Sequence, residues 1–255
     1  MTADSALAVL ITIPLSHYCE KARWALDRAA LPYREEPHIP LIHRLATKRN
    51  DGGTVPVLAH GIHRLTDSTA ILVHADATAG GNVLYPSDAE LRKDVDELVQ
   101  QFDKVLGPHV RRWVYAQLLA NGKVLRRLWS QGVPRLEARC VPLIAPLAFR
   151  LVRSTYRITP DSAQRSLERC REVFSQVTDR LSDGRPFLAG TRFSAADLTF
   201  AALAAPALFP SQCRAVQPSL DEVSPAMREE ILRFRDTAAG QFALRLFAQE
   251  RARNH

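Results

Sequence analysis

Residues able to do chemistry cluster where an apolar segment gives way to a helical one. In "IPLSHYCEKARWALDRAALPY", residues 13–33, the side chains of Ser16, His17, Tyr18 and Cys19 fall within one turn of that junction. A helix N-terminus carries unpaired N–H groups and a partial positive charge, so it stabilises an anion. Ser16 brings a hydroxyl that can donate to such an anion. Cys19, in the first turn, brings a thiol whose pKa falls there if it is exposed. Both also have plain structural readings, since serine is a preferred N-cap and a helix cysteine is commonly a small buried residue.

Two more places have the same character. Pro56 in "TVPVL" (54–58) is tolerable only at a sheet edge or a strand start. In the cis form it would expose the N–H and C=O before it to an extended peptide. Asp67 and Ser68 are good cap residues opening another helical run. Together the three read as a site for an anion or a peptide backbone. His60-x-x-His63 straddles a predicted hairpin turn with no third ligand near in sequence, so no metal is expected.

The elements that must hold these residues are legible from periodicity. "ALAVLITI" (6–13) reads as a buried strand bounded by Pro14, and Ser16 starts a helix. Ala22, Ala25, Leu26, Ala29 and Ala30 form its apolar stripe, with Trp24 off the stripe and expected to face a second domain. A strand over 31–37, a short helix over 41–49, a hairpin over 55–66 turning near Gly61 and a helix over 67–80 complete the order β-α-β-α-β-β-α. From Asp88 onward the signals are helical. "SAADLTFAALAAPAL" (194–208) is apolar nearly all round and therefore a core helix, opened by a Ser194-x-x-Asp197 capping box. The boundary falls at 79–88, which predicts an α/β domain over 1–80 and an all-helical domain over 88–255.

The chain has 255 residues and a net charge of +7, enough for one large domain or two small ones. No apolar run spans a bilayer, and the N-terminus lacks the basic and small-residue features of a leader, so a cytoplasmic protein is expected. Cys19, Cys140, Cys170 and Cys213 form no CxxC pair and read as free thiols. Residues 111–171 hold thirteen Arg or Lys against Glu137, Asp161 and Glu168. Such a field attracts anionic ligands or an anionic membrane surface. No nucleic-acid-binding motif accompanies it, so nucleic acid is not an expected partner.

In "PLSHYCEKARWAL", "TVPVL", "LTDSTAI" and "RPFLAGTRFSAADLTFAALA", taken in this order and spacing, the sequence resembles the glutathione transferase family along its whole length. The resemblance implies a thioredoxin-like N-terminal domain followed by an all-helical domain of the glutathione transferase type. It also implies glutathione as co-substrate, a small hydrophobic electrophile, a role in detoxification and a homodimer. Val55, before Pro56, would pair its backbone with the cysteinyl unit of glutathione. Asp67 and Ser68 would hold the γ-glutamyl end, with Thr54 contributing from the loop, and His43 or Lys48 would meet the glycyl carboxylate. Counting back from Arg23 in the pattern S-x-x-x-x-K-x-R lands on Ser16, the position of the catalytic serine in serine-type transferases.

Lowering a thiol pKa by about two units takes roughly 2.7 kcal/mol. A hydroxyl donor to an anion supplies about 1.5–3 kcal/mol, and the helix terminus up to about 1–2 more. These suffice without Cys19. Two alternatives stay open: a glutathione-dependent thiol–disulfide reductase using Cys19, and a non-catalytic binding protein on the same fold. His17, Tyr18, Arg112, Trp113 and Tyr115 are the candidates for the acceptor site. Residues 126–158 depart from a compact transferase and read as an extended basic and apolar connection interrupted by Pro134, Pro142 and Pro146, suited to covering the acceptor site, a dimer contact or a membrane.

Overall fold

The computed structural model describes residues 7–251. The predicted strand start at Ala6, the last residues of the C-terminal helix and the outer ends of both expected domains lie outside the described residues. Among those described, β1 (Ala8–Thr12), β2 (Tyr33–Pro37), β3 (Val57–His60) and β4 (His63–Leu65) form a mixed sheet in the order β2-β1-β3-β4. β1 runs parallel to β2 and antiparallel to β3, which pairs antiparallel with β4 across the Gly61 turn. Three helices intervene or follow: α1 (His17–Arg28), α2 (His43–Lys48) and α3 (Ser68–Thr78). This is the thioredoxin-like arrangement.

Strand periodicity sorts β1 between two layers. Ala8 and Leu10 join the large core with α1 and α3, while Ile11 joins Val57 and Ala46 of α2 in a small cluster on the opposite face. Both faces are covered, which is why β1 reads as a continuous apolar run rather than an alternation.

The regular elements in the rest of the described chain are helices: α4 (Ala89–Gln101), a π-helical turn at Phe102–Leu106, α5 (Gly107–Ala120), α6 (Gly122–Ser130), α7 (Arg135–Thr155), α8 (Pro160–Arg180), α9 (Ala195–Leu208), α10 (Pro225–Asp236), α11 (Ala238–Leu246) and a second π-helical turn at Phe247–Arg251. The predicted core helix is α9, buried at every position except Pro206. At its start the Asp197 carboxylate accepts from the Ser194 N–H and hydroxyl, each at 2.8 Å, and from the Leu188 N–H at 2.7 Å.

α1 joins the two parts. As its position off the stripe implied, Trp24 stacks near Phe193 at 5.8 Å and Phe247 at 4.9 Å, both from the helical part. The stripe is shorter than predicted, because α1 ends at Arg28 and Ala30 turns into a left-handed conformation. Charged residues of α1 are buried too, each with a partner. Arg23 pairs with Glu35 at 2.6 Å, Glu20 with Arg251 at 2.9 Å, and Lys21 with Asp103 at 2.7 Å.

The 126–158 segment corrects the expectation of an interrupted connection. It folds as the end of α6 and the whole of α7, a 21-residue helix with Pro142 and Pro146 inside it. Each internal proline forgoes a backbone hydrogen bond at roughly 3 kcal/mol or more. Here both prolines sit on the exposed side, four residues apart. The carbonyls they leave free, those of Ala138 and Pro142, lie along the same row. The opposite side holds the helix in place through buried Val141, Ala145 and Ala148 and the Trp129–Phe149 ring pair at 5.1 Å. The Glu137 carboxylate ties the start of α7 to the loop after β2, accepting from the Ile39 N–H at 3.0 Å and pairing with His38 at 2.7 Å. The outer face of α7 exposes Leu136, Leu143 and Leu147 beside Arg135, Arg139 and Arg150. Among the described residues no helix is long and apolar enough to cross a membrane.

Candidate functional site

A cavity of about 370 Å³ opens between the sheet domain and the helical part. Ser16 stands on its wall, in extended backbone (φ −77°, ψ 121°) where β1 gives way to α1. Its Oγ accepts from the Cys19 N–H at 3.4 Å, so it is an N-cap. A hydroxyl has two lone pairs and one proton. Capping takes up a lone pair and not the hydroxyl proton, so the capping and anion-binding readings of Ser16 are compatible.

Cys19 is fully buried and does not line the cavity. Burial pushes its thiol above the ordinary range, despite the opposing field of Arg23 and the contact with Ser16. The first-turn position therefore does not acidify it, because the premise of exposure fails.

Thr54 and Val55 line the same cavity, and the Val55–Pro56 peptide is cis. Of the two predicted partners for a glycyl carboxylate, His43 lines the cavity and Lys48 does not. Burial first, then the Arg44 charge, lowers His43 to about 4, so it is a neutral donor rather than a cation at neutral pH. The cation at that end is Arg44, which lines the cavity beside it. Asp67 and Ser68 open α3 outside this cavity. One Asp67 oxygen accepts from the Thr69 and Ala70 N–H groups at 2.9 and 3.0 Å. Ser68 is buried.

The helical wall separates the five acceptor-site candidates. His17, Tyr18 and Tyr115 line the cavity; Arg112 and Trp113 do not. Side chains advance by about 100° per residue along a helix, so Arg111, Val114 and Tyr115 share the face toward the cavity. Arg112 points the other way, donating to the Tyr156 carbonyl at 2.8 Å and to Ser166 at 3.0 Å. Trp113 is buried against Phe234 at 5.9 Å. α7 supplies Ala148, Leu151 and Val152, so of the roles open to that segment, covering this cavity is one it fills.

Tyr18 is held by the π-helical turn. Its hydroxyl donates to the Asp103 carbonyl at 3.0 Å, and Gly107 leaves the space for its ring. The Asp103 carboxylate faces Lys21, 2.7 Å from its Nζ, and accepts from the Thr69 hydroxyl at 2.5 Å, so one residue ties α1 and α3 to the π-helical turn. π-helical turns recur where a chain must aim a particular residue. Burial, reinforced by the Arg111 charge, lowers His17 to about 3. Sequence reasoning missed Arg111, Arg44, Tyr156 and Asp103. The i, i+3, i+4 relation of Arg111 to Val114 and Tyr115 was the signal that could have found the first.

Near the hairpin, His74 of α3 joins the two histidines noted from sequence: its Nε2 lies 2.9 Å from His60 Nδ1, and its ring 5.0 Å from that of His63. Among the described residues no group of three or more His, Cys, Asp or Glu side chains is arranged to hold a metal ion.

Residues 10–83 match the family model for the glutathione S-transferase N-terminal domain, and residues 141–237 match that for the glutathione S-transferase C-terminal domain. The chain belongs to the glutathione S-transferase family. No curated protein sequence matches it significantly. Solved structures share its fold over nearly full length. The beta-etherase LigF from Sphingobium sp. strain SYK-6 is 18% identical, with a TM-score of 0.61, over 94% of this chain and 99% of that one. A theta class glutathione S-transferase from the citrus canker pathogen Xanthomonas axonopodis pv. citri, solved with glutathione bound, is 17% identical with a TM-score of 0.52, over 93% and 96%. A glutathione S-transferase-I bound with lactoylglutathione is 18% identical with a TM-score of 0.55, over 94% and 100%.

Proposed function

We propose that the protein is a glutathione transferase of the serine type. It binds glutathione along the Val55–Pro56 edge, with Asp67 and Ser68 toward the γ-glutamyl end and Thr54, His43 and Arg44 toward the glycyl carboxylate. The Ser16 hydroxyl donates to the glutathione sulfur and, with the N-terminus of α1, favours the thiolate. The sulfur then attacks an electrophilic carbon held against Val114, Tyr115, Leu151 and Val152. Rate enhancement comes from thiolate stabilisation and from holding the two reactants in one cleft.

The observation that carries this reading is the state of Ser16. It lies on the wall of a cavity shared by the cis-proline edge, at Thr54 and Val55, and the apolar helical wall, with its hydroxyl proton unused by the cap. The burial of Cys19 weighs against the reductase, because a thiol without access to solvent or cavity meets no disulfide.

Turnover of an activated aryl halide by Ser16→Ala and Cys19→Ala tests the assignment. Ser16→Ala is expected to lose roughly 10- to 100-fold in kcat/KM, the worth of a hydrogen bond to a charged group. Cys19→Ala should stay within about two-fold, since the thiol makes no contact with the reacting atoms. The opposite pattern would assign the chemistry to Cys19, and glutathione binding without turnover in the wild type would leave a binding protein.

A further inference from the structure

The acceptor half of the cleft carries a charge that the transferase chemistry does not use. Arg111 projects from α5 onto the cavity wall. Its guanidinium lies 4.2 Å from the centroid of the Tyr156 ring and 5.6 Å from that of Tyr18. Its Nε is sealed from solvent without a protein acceptor. Among the described residues, no hydrogen bond or ion pair to any Arg111 nitrogen is formed. Neighbouring Arg112 has three such contacts, and Arg127, on the next helix, has Glu222 at 2.7 Å.

The cavity offers nothing to neutralise it. None of the lining residues is Asp or Glu, and the lining cations are Arg44 and Arg111. The two lining histidines stay neutral at physiological pH. On the transferase reading glutathione would leave Arg111 unused, because Arg44, which lines the cavity with His43, Gly53 and Thr54, would serve its glycyl end. Arg111 belongs to the helical wall, which also supplies Val114, Tyr115, Leu151 and Val152. A half-buried guanidinium without a carboxylate is costly unless a ligand supplies one. Its planar donors match a carboxylate side-on, and the ring pair of Tyr115 and Tyr156, 5.7 Å apart, offers flat apolar surface beside it.

We infer that the acceptor site takes electrophiles built as an aromatic body bearing a carboxylate, and that Arg111 is the residue that pairs with that carboxylate. The inference rests on the transferase reading for the word electrophile, but not for the binding itself. Arg111 is here a specificity residue: it orients the acceptor and leaves the glutathione sulfur to Ser16.

Calorimetric titration in the absence of glutathione separates the two claims. The probes are 2-naphthoate and its uncharged isostere 2-naphthamide, added to wild type and to Arg111→Gln. Wild type should bind the carboxylate roughly 10- to 100-fold more tightly than the amide, the range expected of a charge-assisted pair. Arg111→Gln should lose that preference while binding the amide unchanged. Equal binding of the two probes by folded wild type, or a preference retained in Arg111→Gln, overturns the inference. A second arm compares turnover of a carboxylated aryl halide with that of its methyl ester. Selective loss on the acid in Arg111→Gln, with the KM for glutathione unchanged, supports the assignment. A loss on both, together with a raised pKa of bound glutathione, makes Arg111 a partner of the thiolate and overturns it. Absence of turnover with either acceptor, alongside the expected binding preference, would defeat the transferase reading while leaving the carboxylate subsite standing.

Discussion

Gly107 gives the sharpest test of how the helical part positions the cleft. It stands where the π-helical turn passes into α5, with helical backbone angles (φ −56°, ψ −51°), so alanine meets no backbone strain there. In an open helix Gly→Ala is worth about 1 kcal/mol of added stability. The packing says otherwise. A Cβ at this position would lie 2.2 Å from the Tyr18 hydroxyl oxygen, 2.7 Å from the ring carbon bearing it and 3.3 Å from Leu203 Cδ1. Tyr18 would have to move by more than an ångström and give up its hydrogen bond to the Asp103 carbonyl. Overpacking costs about 1–3 kcal/mol, and the lost hydrogen bond about 0.5–1.5 more. Net of the helix propensity, Gly107→Ala is expected to destabilise by roughly 1–3 kcal/mol. The ring has the cleft to move into, so the KM for the acceptor should rise while that for glutathione changes little. Urea unfolding at neutral pH, with acceptor and glutathione kinetics, measures both effects. Repeating the substitution in a Tyr18→Ala background should remove the penalty and let the propensity gain show. A Gly107→Ala protein more stable than wild type, with unchanged acceptor kinetics, would refute the packing argument.

Two further expectations concern buried charge. His17 titrates at about 3 in the folded protein against an ordinary 6.5, so as pH falls the unfolded chain takes up this proton first. Its contribution to stability is complete above pH 6.5 and is lost as pH falls toward 3, amounting to about 2 kcal/mol by about pH 5. His17→Asn should remove that part of the acid sensitivity in urea titrations at about pH 7 and about pH 5, and an unchanged pH dependence would contradict a neutral buried imidazole. Lys21 is fully buried whereas the Asp103 side chain is 21% exposed, so the two halves of their pair are not equivalent. Asp103→Ala strands a buried ammonium and should cost about 3–5 kcal/mol. Lys21→Met should cost less, because water reaches the carboxylate left behind, and the reverse ranking in chemical denaturation would contradict the burial argument.

The first part of the molecule was legible because each signal there was local. Ser16 follows a strand and a proline, Asp67 precedes an apolar helix, and Pro56 opens a strand, so sequence spacing alone reached the right elements. Trp24 was legible as well, since a large ring off the apolar stripe needs a second neighbour. The acceptor wall was not. α5 carries apolar or aromatic residues at Val110, Trp113, Val114, Tyr115 and Leu118, which serve either of two helix faces. Packing against α8 and α10 decides that Arg112 and Trp113 turn inward and Arg111 toward the cleft. The α7 segment misled for a different reason. Prolines are helix breakers on average, but Pro142 and Pro146 share the exposed side, where the forgone hydrogen bonds fall on carbonyls of a single row. Cys19 likewise had the right neighbours for a reactive thiol and the wrong burial.

On the transferase reading Ser16 stabilises the thiolate of bound glutathione. The most direct test is a pH titration of thiolate absorbance for glutathione bound to wild type, Ser16→Ala and Cys19→Ala. The bound-thiol pKa is expected about two units below that of the free thiol in wild type and Cys19→Ala, returning toward the free value in Ser16→Ala. An unshifted pKa in wild type, or a shift that survives Ser16→Ala and vanishes in Cys19→Ala, would contradict it.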